Sequence, residues 1–363
     1  MGDSLDRTGP VAQGGLRASP PSAKPLWRVT LAQIATAAGV STSTVSKVLN
    51  GRDDVSASTR QRVQALLLER QYEPRATARA GTPPLVDLVF AELESPWAME
   101  IVRGAVAAAE AAGVTVALTS LSEGATGGSW LDQIRARGTR GVILLLARLG
   151  KREQAELRAR GLPFAVVDPR GEPDPSVTSV GATNWSGALT ATRHLIELGH
   201  QRIGMISGPA DLLCSRARMD GYRSAMEAAG LSLDTELMQW GDFHVDGGFK
   251  VAMAMLSRPE PPTAILAGSD LQALGVLEAA RTHHMDVPEQ LSLVGFDDLP
   301  LSRWTSPPLT TIRQPLAEMA GTAVRLVLAQ GRGEDLDNRS VELATSLVTR
   351  ESTAPCAWSL YED

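Results

Sequence analysis

Seven short runs rich in Val, Ile and Leu recur between Leu85 and Phe296: LVDLVFA, VTVALTS, GVILLLA, PFAVVD, RIGMISG, TAILAGS and LSLVGF. Continuous apolar runs of this length read as buried parallel strands, because a parallel sheet is covered on both faces. Between them lie amphipathic stretches such as MEIVRGAVAAAEAAG, SRARMDGYRSAMEAAG and DLQALGVLEAARTHH, several of them stopped by a glycine. Such alternation implies doubly wound α/β architecture, and at this length two subdomains side by side. A pair of that kind binds ligands in the crevice outside the carboxyl ends of its strands.

A chain of 363 residues suggests two or three domains, and 43% hydrophobic residues are enough for a substantial core. No apolar run approaches the roughly 20 residues needed to span a bilayer. Residues 1–27 are rich in Gly, Pro, Ser and Ala and lack the apolar segment of a secretory signal, so a disordered extension is expected there. Cys214 and Cys356 form neither a metal pattern nor a disulfide framework, which fits a reducing compartment. A cytoplasmic, nucleoid-associated protein with no membrane partner is the expectation. The net charge of −6 is divided unevenly. Residues 28–81 hold eight Lys/Arg against four Asp/Glu, whereas the chain from Thr82 onward carries −11. A basic front module on an acidic body is the asymmetry of a protein that meets phosphates locally.

The front module reads as three short helices. Thr30 with Gln33 and Ser58 with Gln61 are capping-box patterns. The first opens a helix with Leu31, Ile34, Ala35 and Ala38 on one face, stopped by Gly39. The second opens a helix with Val63, Leu66 and Leu67 inward, ending near Tyr72 and Pro74. Between them, Ser41 is placed to cap a helix whose apolar face is Val45, Val48 and Leu49 and whose other face is Thr42, Ser43, Ser46, Lys47 and Asn50. Helix, tight turn and second helix form a helix-turn-helix, whose second helix enters the major groove. Short hydroxyl side chains let a backbone approach base edges there. Thr42 and Ser43 are thus expected at base edges, Ser46 and Lys47 at further bases or phosphates, and Asn50 at a phosphate. Thr30, Ser41 and Ser58 are expected at phosphates too.

This segment, VTLAQIATAAGVSTSTVSKVLNG followed by VSASTRQRVQALLLERQYEP, resembles the DNA-binding head of the LacI/GalR family of bacterial transcriptional regulators. The family's V-S-x-x-T-V-S core and Y-x-P ending are both present. The resemblance implies that Tyr72 and Pro74 lead into a hinge helix inserted in the minor groove. The hinge departs from the family pattern Y-x-P-N-x-x-A-R-x-L. Arg75 replaces the Asn, and Gly81 stands where a wedging leucine is expected, while Ala78 and Arg79 match. Arg75 and Arg79 are the groups left to hold the narrow groove electrostatically.

The body resembles the same family's two-lobed core, which is similar to periplasmic sugar-binding proteins, through HLIELGHQRIGMISGP, SRARMDGYRSAMEAAG, PTAILAGSDLQALGVLEAA, LSLVGFDDLPLSRWTSPPLTTIRQP and LVTRES. The resemblance implies an α/β chain with an all-α helix-turn-helix head (28–73), a hinge (74–84) and a core (85–352) before the tail 353–363. Lobe 1 is expected over about 85–182 and 314–341, and lobe 2 over about 183–313 and 342–352. By the same resemblance Arg218 grips the effector, Asp297 accepts its hydroxyls from the other lobe, and Ser269, Asp270, Asp168 and Phe243 fall at the cleft. Trp97 and Trp185 are added as stacking candidates, since aromatics cover the apolar face of a sugar ring.

No GxGxxG, Walker A, HExxH or GxSxG motif is present, and neither the adjacent His283 and His284 nor the FDD at Phe296–Asp298 has partners for catalysis or metal binding. The expectation is therefore a repressor of sugar-uptake or catabolism genes, not an enzyme, without metal or cofactor. It would bind a pseudo-palindromic operator as a homodimer under control of a small sugar. A cytosolic sugar receptor with relaxed DNA binding and a nucleobase-responsive repressor remain the alternatives.

Overall fold

The computed structural model describes residues 31–49, 55–69, 84–90, 93, 95–121, 129–147, 149–172, 174–336 and 338–356. The chain divides into two compact units, with the division after Thr77.

The first unit contains α1 (Leu31–Ala38), α2 (Thr42–Leu49) and α3 (Ala57–Glu69). Gly39, at φ +65°, ends α1 in the left-handed conformation that glycine adopts without strain. The Val40 N–H reaches back to the Ala35 carbonyl at 3.0 Å, closing a Schellman-type turn. Ile34, Ala35, Ala38, Val45, Val48 and Val63 form one buried cluster, so each helix contributes the face that its spacing indicated. The cap of α3 differs from the expectation. Ser56, not Ser58, precedes the helix, and its Oγ accepts the Thr59 N–H at 3.4 Å. Ser58 lies exposed in the first turn.

The second unit begins with β1 (Leu85–Phe90), α4 (Pro96–Ala111), β2 (Thr115–Ser120), α5 (Ser129–Arg137), β3 (Thr139–Leu145), α6 (Lys151–Ala159), β4 (Phe164–Val167) and β5 (Thr178–Ala182). It continues through α7 (Asn184–Glu197), β6 (Ile203–Ser207), α8 (Leu213–Ala228), β7 (Met238–Trp240), α9 (Val245–Leu256), β8 (Ala264–Ala267), α10 (Asp270–Thr282), β9 (Ser292–Asp297) and β10 (Thr310–Arg313). The last elements are α11 (Leu316–Gly331), β11 (Ser340–Leu343) and β12 (Ser346–Val348).

Two six-stranded sheets result, in the orders β11-β5-β4-β3-β1-β2 and β12-β10-β9-β8-β6-β7. All ladders are parallel except β10 with β12. Each sheet is the centre of one lobe. The seven apolar runs are β1, β2, β3, β4, β6, β8 and β9, but β2 is not buried: it is an edge strand with most residues open on one side.

The chain passes between lobes at Thr183, at Gln314–Pro315 and at Ala344–Thr345. The third crossing corrects the expected boundary, because β11 stays in the sheet of lobe 1 as far as Leu343. The lobes also touch elsewhere. Leu299 of lobe 2 is buried in the core of lobe 1, and the Gly171 N–H of lobe 1 donates to the Asp211 carbonyl of lobe 2 at 3.0 Å. Among the described residues no helix is long and apolar enough to cross a membrane.

Candidate effector cleft and DNA-binding face

The outward side of α2 is built as its sequence suggests. Thr42, Ser43 and Lys47 are exposed and Ser46 is half-buried, while Val45 and Val48 point into the core. Ser41 accepts the Thr44 N–H at 3.2 Å, and its Oγ lies 2.7 Å from Ser43 Oγ and 2.9 Å from Thr44 Oγ1. One hydroxyl cluster therefore fixes the helix start and orders the side chains around it. Thr30, Asn50, Tyr72, Arg75, Arg79 and Gly81 lie outside the described residues.

In the second unit a cavity of about 880 Å³, its mouth included, opens between the lobes. Its polar walls come from strand ends and helix starts, where a doubly wound sheet leaves room for a ligand. Lobe 1 supplies Asp168, immediately after β4, and Trp97, in the first turn of α4, whose N–H is taken by Ser95 Oγ at 3.2 Å. Lobe 2 supplies Arg218 from α8, Phe243 from the loop after β7, Ser269 from the start of α10 and Asp297 from the end of β9.

Arg218 is the centre of the site. It is buried, with its guanidinium 3.8 Å from the centre of the Phe296 ring and 5.3 Å from that of Phe243. Its Nε donates to Asn184 Oδ1 at 2.8 Å and its Nη1 to the Gly268 carbonyl. Its Nη2 stands 3.9 Å from Asp297 Oδ1, an ion pair too long for a direct hydrogen bond. Asp297 instead accepts Gln314 Nε2 at 2.6 Å, and its backbone is held at φ 113°. Burial pushes the Asp297 carboxyl upward against the opposing pull of Arg218.

Asp168 faces this group from lobe 1. It is buried, adopts φ +47°, and accepts no hydrogen bond from any described residue. Burial raises its carboxyl to about 6, with Arg218 working against that rise. Ser269 caps α10, accepting the Gln272 N–H at 3.1 Å and donating to the Phe243 carbonyl at 3.1 Å. Phe243, at φ +68°, packs so tightly on Gly208 that a Cβ there would lie 2.1 Å from its Cζ.

Three expectations are corrected here. Arg218 and Asp297 belong to the same lobe, so the carboxylate facing Arg218 from the other lobe is Asp168. Asp270 does not face the cavity. It is buried inside lobe 2, taking the Leu299 N–H at 2.7 Å, the Thr311 hydroxyl at 2.6 Å and the Ser302 hydroxyl, and so holds the loop after Asp297. Trp185 is not beside Trp97 and Phe243. It is 43% exposed in the first turn of α7, where it lines a neighbouring cavity. Asn184, Phe296 and Gln314 were missed: each acts through Arg218 or Asp297, which no motif spacing signals. Phe90 also lines the cavity, and its place at the end of β1 was the available clue.

Residues 30–75 match the signature of bacterial regulatory proteins of the lacI family, and residues 192–353 match a periplasmic binding protein-like domain. The chain is 33% identical over 328 residues to the HTH-type transcriptional repressor CytR of Escherichia coli K12, covering 89% of this chain and 96% of that one. It is 34% identical over 343 residues to the HTH-type transcriptional regulator CelR of Thermobifida fusca, covering 90% and 98%. Among solved structures, a CelR–cellobiose complex superposes with TM-score 0.69 at 33% identity, covering 90% of this chain and all of that one. The lac repressor dimer bound to operator and the anti-inducer ONPF superposes with TM-score 0.66 at 28% identity, covering 90% and 99%.

A helix-turn-helix unit on a two-lobed binding-protein core defines a DNA-binding transcriptional regulator rather than an enzyme. The chain belongs to the LacI family of bacterial transcriptional regulators.

Proposed function

We propose that this regulator is a homodimeric repressor of sugar-utilisation genes, released from or fixed on a pseudo-palindromic operator by a neutral sugar in the interlobe cavity. The observation that carries the reading is the Arg218–Asp297 pair, held 3.9 Å apart and facing Asp168 across the cavity. Paired hydroxyls satisfy such a set: guanidinium donates to one oxygen, and carboxylates accept from two. Phe243 and Trp97 give the apolar face of a ring something to stack on. Asp168, Asp242 and Asp297 offset Arg170 and Arg218, so the charge of the lining does not select an anionic ligand. Cellobiose in the CelR complex supports the same class of ligand.

Two heads would each set the helix from Thr42 to Asn50 in a major-groove half-site, with Thr42, Ser43, Ser46 and Lys47 toward the bases and Ser41 and Ser58 toward phosphates. Tyr72, Arg75 and Arg79 would serve the hinge. A ligand that favours one lobe arrangement is linked to operator affinity, with typical couplings of about 1–3 kcal/mol. Selection from randomised palindromic duplexes at fixed salt, with and without a sugar panel, tests the reading. One palindrome should be selected, and one sugar should change its capture. Weak, sequence-blind, steeply salt-dependent binding unaffected by any sugar would sink it.

A further inference from the structure

A second cavity, of about 950 Å³ with its mouth included, lies beside the first, and Asp168 and Cys214 line both. One wall belongs to lobe 1, through Gly181 of β5 and Ser340 and Glu342 of β11. The other belongs to lobe 2, through Trp185 and Ser186 of α7 and the start of α8. The backbone of Trp185 is pinned against α8, where a Cβ on Gly221 would lie 2.2 Å from its carbonyl oxygen. The residue nevertheless stays 43% exposed. An exposed tryptophan on a fixed backbone, ringed by hydroxyls and a carboxylate, is a stacking platform with acceptors around it.

Asp168 sits at the junction. Its Oδ1 lies over Gly181, 3.5 Å from where a Cβ would be, so the carboxylate reaches the second cavity as well as the first. It feels both: Arg218 in one cavity favours its ionised form and Glu342 in the other opposes it. Asp168 is buried and accepts no hydrogen bond from a described residue, so its oxygens at the cavity walls are open to donors that a ligand brings. Donors arriving from both sides would come from adjacent rings of one ligand. Among the described residues no Lys, Arg or His lines the second cavity, so its lining favours an uncharged unit over a phosphorylated or uronic one.

We infer that the effector is a neutral oligosaccharide of at least two rings, one ring held at Arg218, Phe243 and Asp297 and the next against Trp185, with Asp168 accepting hydroxyls from both. The inference rests on the reading of the cleft as a sugar site and names the ligand class that fills it. Such a ligand touches both lobes in both cavities, which gives it more leverage on their arrangement than a single ring has.

The test is calorimetric titration of the full chain with glucose and with gluco-disaccharides and trisaccharides of several linkages. In one linkage series affinity should rise at least tenfold from one ring to two. Trp185→Ala should shrink that ratio to under threefold and Trp185→Phe should keep most of it. Glu342→Gln, on an exposed edge residue of the facing wall, should also lower the ratio. Equal affinity for one ring and two would overturn the inference while leaving the sugar-effector reading intact. A Trp185→Ala loss that is the same for every chain length would overturn it too, since it marks a structural role. Failure of every saccharide to bind would overturn the effector reading and this inference together.

Discussion

Thr183 and Thr345, on two of the three segments that pass between the lobes, are bonded to each other three times. Their hydroxyls lie 3.0 Å apart, the Thr345 N–H donates to Thr183 Oγ1 at 3.0 Å, and Thr345 Oγ1 donates to the Thr183 carbonyl at 3.2 Å. The first and third crossings are therefore tied into one strap, with Gln314 of the second crossing bonded to Asp297 in the cleft. Thr183→Val keeps the side-chain shape and removes the shared oxygen. It should lower stability by about 1–2 kcal/mol and reduce several-fold the factor by which sugar changes operator affinity. Operator titrations with and without sugar measure that factor, and an unchanged factor would exclude the strap from coupling.

Arg218→Lys should produce a repressor that binds operator and ignores sugar. Lysine presents a point charge in place of a planar fork. It cannot bond Asn184 and the Gly268 carbonyl while stacking between Phe296 and Phe243. The loss in sugar affinity should be on the order of 2–3 kcal/mol. Calorimetry reads that loss, and a gel-shift assay reads the retained operator binding.

The Asp168 carboxyl gives a pH test whose sign is fixed. Burial raises it from 3.8 to about 6 in the folded chain. Its favourable contribution is therefore fully present below pH 3.8 and is lost as pH rises through about 6. Asp168→Asn removes that pH-dependent loss. The variant should be more stable than the parent at pH 7.5, by roughly 1–3 kcal/mol, and the advantage should vanish toward pH 4. The same change removes an acceptor at the junction of the two cavities, so stability should rise while sugar affinity falls. Thermal midpoints from pH 4 to 8 check the first half of this, and titration at pH 7.5 checks the second.

What was legible in the sequence follows from how local each signal is. Runs such as GVILLLA and TAILAGS announce buried strands because both faces of a covered sheet must be apolar. TSVGA, the strand β5, announces nothing: it is short, small and interrupted by glycine, and only its neighbours β4 and β11 make it a strand. Motif positions put Arg218, Asp297, Ser269, Phe243 and Asp168 around one cavity. They misplaced Asp270, because adjacency to Ser269 at a helix start does not say which way a side chain turns. Ser269 turns to the cavity, while the hydroxyls of Thr311 and Ser302 draw Asp270 inward. Trp185 is a stacking candidate by residue type alone, and the cavity it lines is completed by β11, distant in sequence. Ser58 fits the capping-box rule through Gln61, whereas the helix begins at Ala57 and its cap is Ser56.

The outward face of α2 separates into groups that should read sequence and groups that should read charge. Thr42 is exposed in the first turn, beside the Ser41–Ser43–Thr44 hydroxyl cluster that fixes the helix start. The residue is exposed, so Thr42→Ala should leave the thermal midpoint nearly unchanged. If it meets a base edge, the preferred base at one symmetric pair of operator positions should change, with a discrimination loss of about 1–3 kcal/mol. Lys47, exposed in the last turn, should behave differently. Lys47→Ala should weaken all duplexes alike and lower the slope of log affinity against log salt by about one per head, the signature of a lost phosphate contact. Selection from random duplexes at two salt concentrations distinguishes the two effects. A uniform loss for Thr42→Ala, or a changed consensus for Lys47→Ala, would reverse the roles assigned to these side chains.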